Sequence, residues 1–290
     1  MLETKGDHAA LRLSPLGSSA RSAPVIAVDA HVHFYPGANL GDALNAAWHN
    51  LGDACRAKGC TPGALCLLLT ETASDNAFGA LSAQRDAPKG WEICVLPDDP
   101  AALRAVRAKD GAELVIVAGR QIISVEQVEI LAYATTDRPL DGKPLSEIVE
   151  MLRTAGTPAV LPWGLGKWMG ARGRIVSRFF DAAATGEVML GDNAGRPVGW
   201  PTPPLFRNAS ARAVPILPGS DPLPIPGAEK EIGSFGFVLG GALERQRPAE
   251  DLRTRLLALD RQPPVIGRRQ HLPAVLAHQI ALRRAKMRVG

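Results

Sequence analysis

Two histidines at the end of the first apolar segment are the residues best suited to chemistry. Residues 25–34 are predicted to form a buried strand, and His31 and His33 lie near its end. Side chains at positions i and i+2 of a strand point to the same side, so both imidazoles can be directed at one point, as a metal ion requires. The alternative is a pair of histidines that form hydrogen bonds at the mouth of the fold.

Carboxylates follow two other predicted strands. Asp221 stands in the segment GSDP, directly after the predicted strand 214–217, and Glu71 follows the predicted strand 64–70. A carboxylate at such a position could bind a metal ion or accept a proton from a metal-activated water. The sequence Ser-Asp-Pro is also typical of a turn. Taken with the histidines, Asp221 is predicted as a metal ligand or general base and Glu71 as a further ligand.

Four cationic side chains are candidates for binding an anion. The glycine-rich segment 161–174 follows a predicted strand and precedes a predicted helix, and its N–H groups with Lys167 and Arg172 would favour a phosphate. The spacing of a P-loop is missing. Arg196 follows the turn-like segment GDNAG, and Lys230 lies further on. We predict that all four bind substrate and that Lys167 also stabilises developing charge; the alternative is ordinary turns that need glycine and asparagine for backbone reasons.

Short apolar segments alternate with helical patterns in most of the chain. Alternation of this kind indicates βα units around a parallel sheet, and barrel enzymes carry their active residues at the ends of such strands. We therefore predict an α/β fold, a distorted (β/α)7-type TIM-like barrel with C-terminal helices. Residues 101–109 are predicted as a helix and the proline-rich residues 196–213 as a long loop, and the strand at 214–217 is predicted to be the last.

Three regions are predicted: a flexible leader (1–24), a metallo-hydrolase-like α/β barrel (25–240) and a basic C-terminal helical extension (241–290). The extension holds 11 Lys and Arg against 4 Asp and Glu, and its predicted helices, 248–260 and 271–288, would pack outside the barrel. Basic segments of this kind are usually solvated helix faces. Binding of nucleic acid is expected, at most, to be weak and through this extension, because no aromatic residue follows Phe237 to stack on bases.

The composition is that of an ordinary globular protein, with 46% hydrophobic and 21% charged residues. The four cysteines form no C-x-x-C pair and are expected to be reduced thiols of a cytoplasmic protein. The sequence contains no run of 18 apolar residues, so no membrane span is predicted. The expected partner is a small anionic substrate, and the sequence does not indicate an oligomeric state.

Several segments, in order, resemble those of the PHP (polymerase and histidinol phosphatase) family of metal-dependent phosphoesterases. DAHVHFYP is similar to the family's H-x-H segment, GALCLLLTETASDNAFGAL to the segment ending in T-D-H, GRQIIS to G-x-E-x-S, the stretch ending in AVLPW to the strand A-H-P, and LPGSDPL to G-S-D-A-H. The resemblance covers residues 25–240. It implies a seven-stranded distorted barrel that holds two or three metal ions and hydrolyses phosphate esters. The H-x-H and the late aspartate also resemble the wider amidohydrolase superfamily.

The resemblance carries over only in part. His31, His33 and Asp221 match ligand positions, and Glu71 retains one carboxylate of T-D-H. Gln121 replaces the family's glutamate, and the histidines of T-D-H, A-H-P and D-A-H are absent. The matching residues therefore imply one divalent ion, zinc, manganese or iron, rather than three.

Two functions follow as hypotheses. The first is a metal-dependent hydrolase of a phosphate ester or similar anionic substrate, with metal-bound water as the nucleophile. The alternative is a catalytically inactive PHP-like domain that binds an anionic ligand or a protein partner. In that case the four cations named above would supply the charge in place of a metal.

Overall fold

The computed structural model describes residues 23–85, 87–137 and 140–289, so nearly all of the predicted leader, 1–24, lies outside the described residues. The strands are β1 (Val25–Val32), β2 (Pro62–Leu69), β3 (Trp91–Val95), β4 (Ala102–Arg107), β5 (Glu113–Val117), β6 (Gly119–Ile123), β7 (Glu129–Tyr133), β8 (Ala159–Pro162), β9 (Met189–Asn193), β10 (Ile216–Gly219), β11 (Phe235–Gly240) and β12 (Val265–Gly267). The helices are α1 (Leu40–Ala57), α2 (Ala77–Ser82), α3 (Leu145–Thr154), α4 (Gly170–Ala182), α5 (Pro204–Ala211), α6 (Pro248–Leu257) and α7 (Leu272–Val289). A 3-10 turn spans Ala228–Glu231.

These strands form two sheets. The larger has the order β12-β11-β1-β2-β5-β4-β3, and the smaller has the order β10-β9-β8-β7-β6. β1 lies parallel to β2, and β2 parallel to β5, while β8, β9 and β10 are parallel to one another. The carboxyl ends of these parallel strands carry most of the residues predicted to do chemistry.

The predicted TIM-like barrel is wrong. Among the described residues the strands pair into two separate sheets, and no closed barrel forms. The main cause is antiparallel pairing that the βα pattern did not predict: β4 pairs antiparallel with both β3 and β5, and β7 with both β6 and β8. Hairpins of this kind leave no crossover helix between strands, so a regular succession of βα units is not present.

Three local predictions are also corrected. The segment predicted as a helix at 101–109 contains β4, because its backbone groups pair with strands on both sides and this tertiary pairing outweighs helix propensity. The predicted loop 196–213 contains α5, which begins with proline at its first turn, where no N–H is needed. The strand at 214–217 is not the last, since β11 and β12 follow it.

The two sheets share a buried apolar core. One cluster joins side chains of β1 and β2 to side chains of β7, β8 and β10, including Ile26, Leu68, Leu131, Val160 and Leu217. Outer clusters seat α1 on the larger sheet and α3, α4 and α5 on the smaller one. The four cysteines are free thiols. In the described part of the chain, no helix has the length and apolar character that crossing a membrane would need.

The sheets meet closely at Gly119, at the start of β6. A Cβ atom there would lie 2.2 Å from the Leu69 carbonyl oxygen and 2.7 Å from the Ala132 carbonyl oxygen. Backbone atoms cannot move aside as a flexible side chain could. Glycine at this position therefore lets the end of β2 approach the smaller sheet.

We expect Gly119→Ala to destabilise the protein by about 2 kcal/mol, since the added methyl group forces backbone displacement in a packed interior. Urea denaturation followed by circular dichroism measures this. Gly240→Ala is the matched control, because a Cβ at Gly240 would meet nothing within 4 Å. Equal unfolding midpoints for the two variants would contradict this account of the junction.

Candidate functional site

His31, in β1, and His33, directly after it, converge as their i, i+2 spacing predicts. Their Nε2 atoms lie 3.1 Å apart, and both side chains are buried, with 4% and 5% of their surface exposed. The ring of Tyr35 stacks on the His33 ring, with centroids 5.1 Å apart. The strand thus fixes two imidazole nitrogens at one point, shielded from bulk solvent.

Asp221 joins the histidines from the other sheet. Its Oδ1 lies 3.4 Å from His31 Nε2 and 3.8 Å from His33 Nε2. Its backbone has the left-handed conformation, φ 47°, and its N–H donates to the His31 carbonyl at 2.8 Å. One ligand atom from each of the three residues lies within 4.8 Å of the others, so the cluster could hold a metal ion.

The electrostatic environment keeps both imidazoles neutral. Burial, with a smaller contribution from the nearby positive charge of Lys167, lowers the pKa of His31 to about 4, and the negative charge of Glu129 opposes this lowering. Burial and the proximity of His31 lower the pKa of His33 to about 3, against the effect of Asp221. A neutral imidazole offers the lone pair that a metal ligand needs.

The donor set fits a divalent metal ion. Two neutral imidazoles and one carboxylate suit zinc, manganese or iron. His33 Nδ1 is buried and has no hydrogen-bond partner among the described atoms. His33 Nε2 has Thr70 Oγ1 at 3.3 Å as a further neighbour. Two buried imidazole nitrogens therefore face each other, and a third, His33 Nδ1, has no partner in the part of the chain that the structure describes. The described protein groups alone do not satisfy the hydrogen-bonding capacity of this site.

Asn193 orients the aspartate. From the end of β9 its Nδ2 donates to Asp221 Oδ2 at 2.7 Å and to the Trp163 carbonyl at 2.9 Å. The second carboxylate oxygen of Asp221 is thereby held away from the histidines, and Oδ1 faces them. Asn193 belongs to the segment GDNAG, whose other polar side chain, Asp192, pairs instead with Arg196.

Asp29 is a residue whose role the sequence analysis missed. Its buried carboxylate accepts hydrogen bonds from the backbone N–H groups of His31 at 3.1 Å, Ser220 at 2.8 Å and Gly233 at 2.8 Å. Burial raises its pKa to about 6, and these hydrogen bonds oppose the rise. Alternation along β1 could have identified it, since Asp29 shares a strand side with both histidines.

Glu71 is not brought together with these ligands. Its Oε2 accepts from Arg120 Nη1 at 3.1 Å, and its Oε1 accepts from the Phe78 N–H at 2.7 Å. Both oxygens of this buried carboxylate are therefore occupied by protein donors. Gln121 lies beside His31, and the interaction of its side chain with the imidazole opposes the lowering of the His31 pKa.

The four predicted substrate-binding cations are placed differently from one another. Lys167 and Arg172 line a cleft together with Asp221. Arg196 is buried and pairs with Asp192 through two hydrogen bonds, of 2.7 and 2.5 Å, so its charge is already matched. Lys230 is exposed on the 3-10 turn and does not line the cleft.

The cleft has a volume of about 470 Å³ and a mixed lining. Lys167 Nζ forms an ion pair with Glu129 Oε2 at 2.5 Å on one side. On the other side α7 contributes Val275 and His278, and His278 Nε2 lies 3.4 Å from Glu231 Oε1. α7 was expected to pack outside the barrel, but it forms one wall of this cleft.

Comparison with known proteins finds distant structural similarity and no match in sequence. No family model and no curated protein matches the sequence. Among solved structures, PsfC from Pseudomonas syringae PB-5123 has a TM-score of 0.49 and 16% identity, over 90% of this chain and 99% of that one. The lesion-specific endonuclease PfuEndoQ from Pyrococcus furiosus has a TM-score of 0.49 and 11% identity, over 81% of this chain and 56% of that one. Similarity this low carries no functional argument.

We expect Asp29→Asn to lower the free energy of unfolding by about 2 kcal/mol, because an amide nitrogen would face backbone N–H groups that need an acceptor. Urea denaturation in the presence of a chelator measures this without a contribution from bound metal. Asp53→Asn on the exposed face of α1 is the control. An unchanged midpoint for Asp29→Asn would show that the carboxylate does not hold these segments together.

Proposed function

We propose that this protein is a metal-dependent hydrolase that acts on a phosphate ester or a similarly anionic small substrate. The observation that carries this proposal is the convergence of His31, His33 and Asp221 within 4.8 Å of one another, with Asp221 also lining a cleft. Two imidazoles and a carboxylate, as in known catalytic zinc sites, leave coordination positions free for water and substrate. The proposed ion is zinc, manganese or iron, with one per chain.

The chain's own residues provide the remaining functions. A bound divalent ion would acidify a water molecule and offset negative charge on the substrate. Asp221 is 20% exposed on its side chain, unlike the buried histidines, and its carboxylate can accept a proton from a group in the cleft. Asn193 holds that carboxylate in place through Oδ2. The buried histidines are neutral and keep their lone pairs available.

Lys167 and Arg172 are the proposed anion-binding residues of the cleft. Lys167 is paired with Glu129, and its side chain is 39% exposed. An incoming phosphate oxygen can compete for the ammonium group, which has three donors. Arg172 is exposed on α4 and can approach the same anion.

A second candidate function is binding of an anion without catalysis. The observation that favours it is the Glu71–Arg120 ion pair, which removes a carboxylate from the ligand set that the PHP resemblance implies. A site with three protein ligands and cationic neighbours can bind phosphate whether or not it hydrolyses an ester. Measuring metal content, binding and turnover on the same samples separates the two functions.

We expect protein purified without a His tag to contain about one divalent ion per chain and to release phosphate from simple phosphate monoesters. The His31→Ala/His33→Ala double variant should lose the ion and at least about 100-fold of the activity. Elemental analysis and a phosphate-release assay measure these. His49→Ala, which changes an exposed histidine of α1, is the control.

Full activity after complete removal of metal by a chelator would contradict the hydrolase proposal. Stoichiometric metal binding with phosphate affinity but no turnover on any ester would favour the second candidate instead.

We expect Lys167→Met to lower kcat/KM for a phosphate monoester by roughly 10-fold to 100-fold, because a cation that faces the developing charge is lost. Lys230→Met is the matched control and should leave the rate unchanged, since Lys230 is exposed outside the cleft. Steady-state kinetics at saturating metal measure both. An equal effect of the two substitutions would contradict the assignment of Lys167.

A further inference from the structure

A second concave surface lies beside the candidate metal site. It has a volume of about 650 Å³ and is enclosed by the loop after β8, the first turns of α4 and the segment before α5. Three of the chain's five tryptophans line it, namely Trp163, Trp168 and Trp200. We call this surface the tryptophan groove.

The tryptophans differ in how much of their surface is available. Trp163 is buried, and Trp168 packs edge-to-face on Phe206 with ring centroids 5.3 Å apart. Trp200 is 41% exposed, and Met169, which also lines the groove, is 64% exposed. Most large apolar side chains of a folded protein are buried. An exposed tryptophan in a concave surface offers its ring to a flat ligand.

The charge of the tryptophan groove is positive. Arg174 and Arg178 stand one turn apart on α4, are exposed and line the groove, and neither forms an ion pair with a residue in the described ranges. The acidic residue of the lining, Asp181, accepts a hydrogen bond from Asn208 Nδ2 at 2.5 Å. The groove therefore combines exposed aromatic surface with two free guanidinium groups, which favours a ligand that is both aromatic and anionic.

The tryptophan groove adjoins the metal cleft. Trp163, Gly164 and Leu165 line both surfaces. α4 supplies Arg172 to the cleft and Arg174 and Arg178 to the groove. The two surfaces are therefore neighbours, which is the arrangement that a ligand with a phosphate at one end and a ring at the other would need.

We propose that the tryptophan groove binds the flat aromatic or heteroaromatic ring of an anionic ligand, next to Trp200 and Arg178. The substrate class of the cleft is then a phosphate ester that carries such a ring. This assignment of substrate rests on the proposed function, whereas ring binding in the groove does not. An aliphatic phosphate ester has the same charge but no ring, and it provides the comparison.

The test is calorimetric titration of the full chain with phenyl phosphate and with glycerol 3-phosphate, in excess chelator and again with zinc. We expect phenyl phosphate to bind at least about fivefold more tightly than glycerol 3-phosphate under both conditions. Trp200→Ala should abolish that preference. Arg178→Ala is an independent change on an exposed helix face, and it should weaken the binding of phenyl phosphate by roughly fivefold.

Two controls test whether these effects are local. Leu257→Ala removes an exposed apolar side chain of α6, and Arg85→Ala removes an exposed arginine, and neither residue lines the groove or the cleft. Both should bind phenyl phosphate as the unmodified protein does. Trp200→Phe retains a ring and should keep most of the preference.

Equal affinity for the two phosphates, or a preference that survives Trp200→Ala, overturns the proposal. Failure of the proposed function gives a different result: phenyl phosphate binds in a Trp200-dependent manner, but no phosphate is released with metal. Release of phosphate from both esters at equal kcat/KM, unchanged in Trp200→Ala, leaves the hydrolase intact and overturns the groove.

Discussion

The carboxylate of Asp29 is the constraint on which the candidate site depends. It is buried and accepts N–H groups from β1, from the segment after β10 and from the turn before β11. These hydrogen bonds hold the segment that contains His31 beside the segment that contains Asp221. Buried backbone donors must be satisfied, so separating the segments would leave the N–H groups of Ser220 and Gly233 without their acceptor. Tyr133, whose hydroxyl donates to the Ala30 carbonyl at 2.7 Å, adds a further link from β7 to β1.

Burial also gives the site its chemical character. The same packing that fixes His31 and His33 holds their pKa values far below the usual range. Neutral imidazoles are suited to bind a cation, and protonated ones would repel it. Lys167 strengthens this effect, and its pairing with Glu129 limits the net positive charge beside the cleft. Position and protonation state therefore arise from one arrangement of strands.

The sequence predicted the local part of this site better than the global fold. The i, i+2 spacing of His31 and His33 sets their direction whatever sheet β1 joins, and a residue after a parallel strand, such as Asp221, lies at the same edge as other strand ends. Glu71 follows the same rule, yet Arg120 and the N–H of Phe78 occupy its carboxylate. Those partners are distant in sequence, or lie in a short helix without a clear pattern, so spacing alone could not reveal them. The barrel prediction failed for a related reason, because β4 has a helix-like sequence and its strand pairing depends on neighbours.

The most direct test of the central claim is anomalous diffraction from crystals of the protein grown with zinc or manganese, recorded at the absorption edge of the metal. The account predicts a strong peak within bonding distance of His31 Nε2, His33 Nε2 and Asp221 Oδ1, which lie within 4.8 Å of one another. A fully loaded protein with its metal peak elsewhere, or with no peak between these three atoms, would contradict the account.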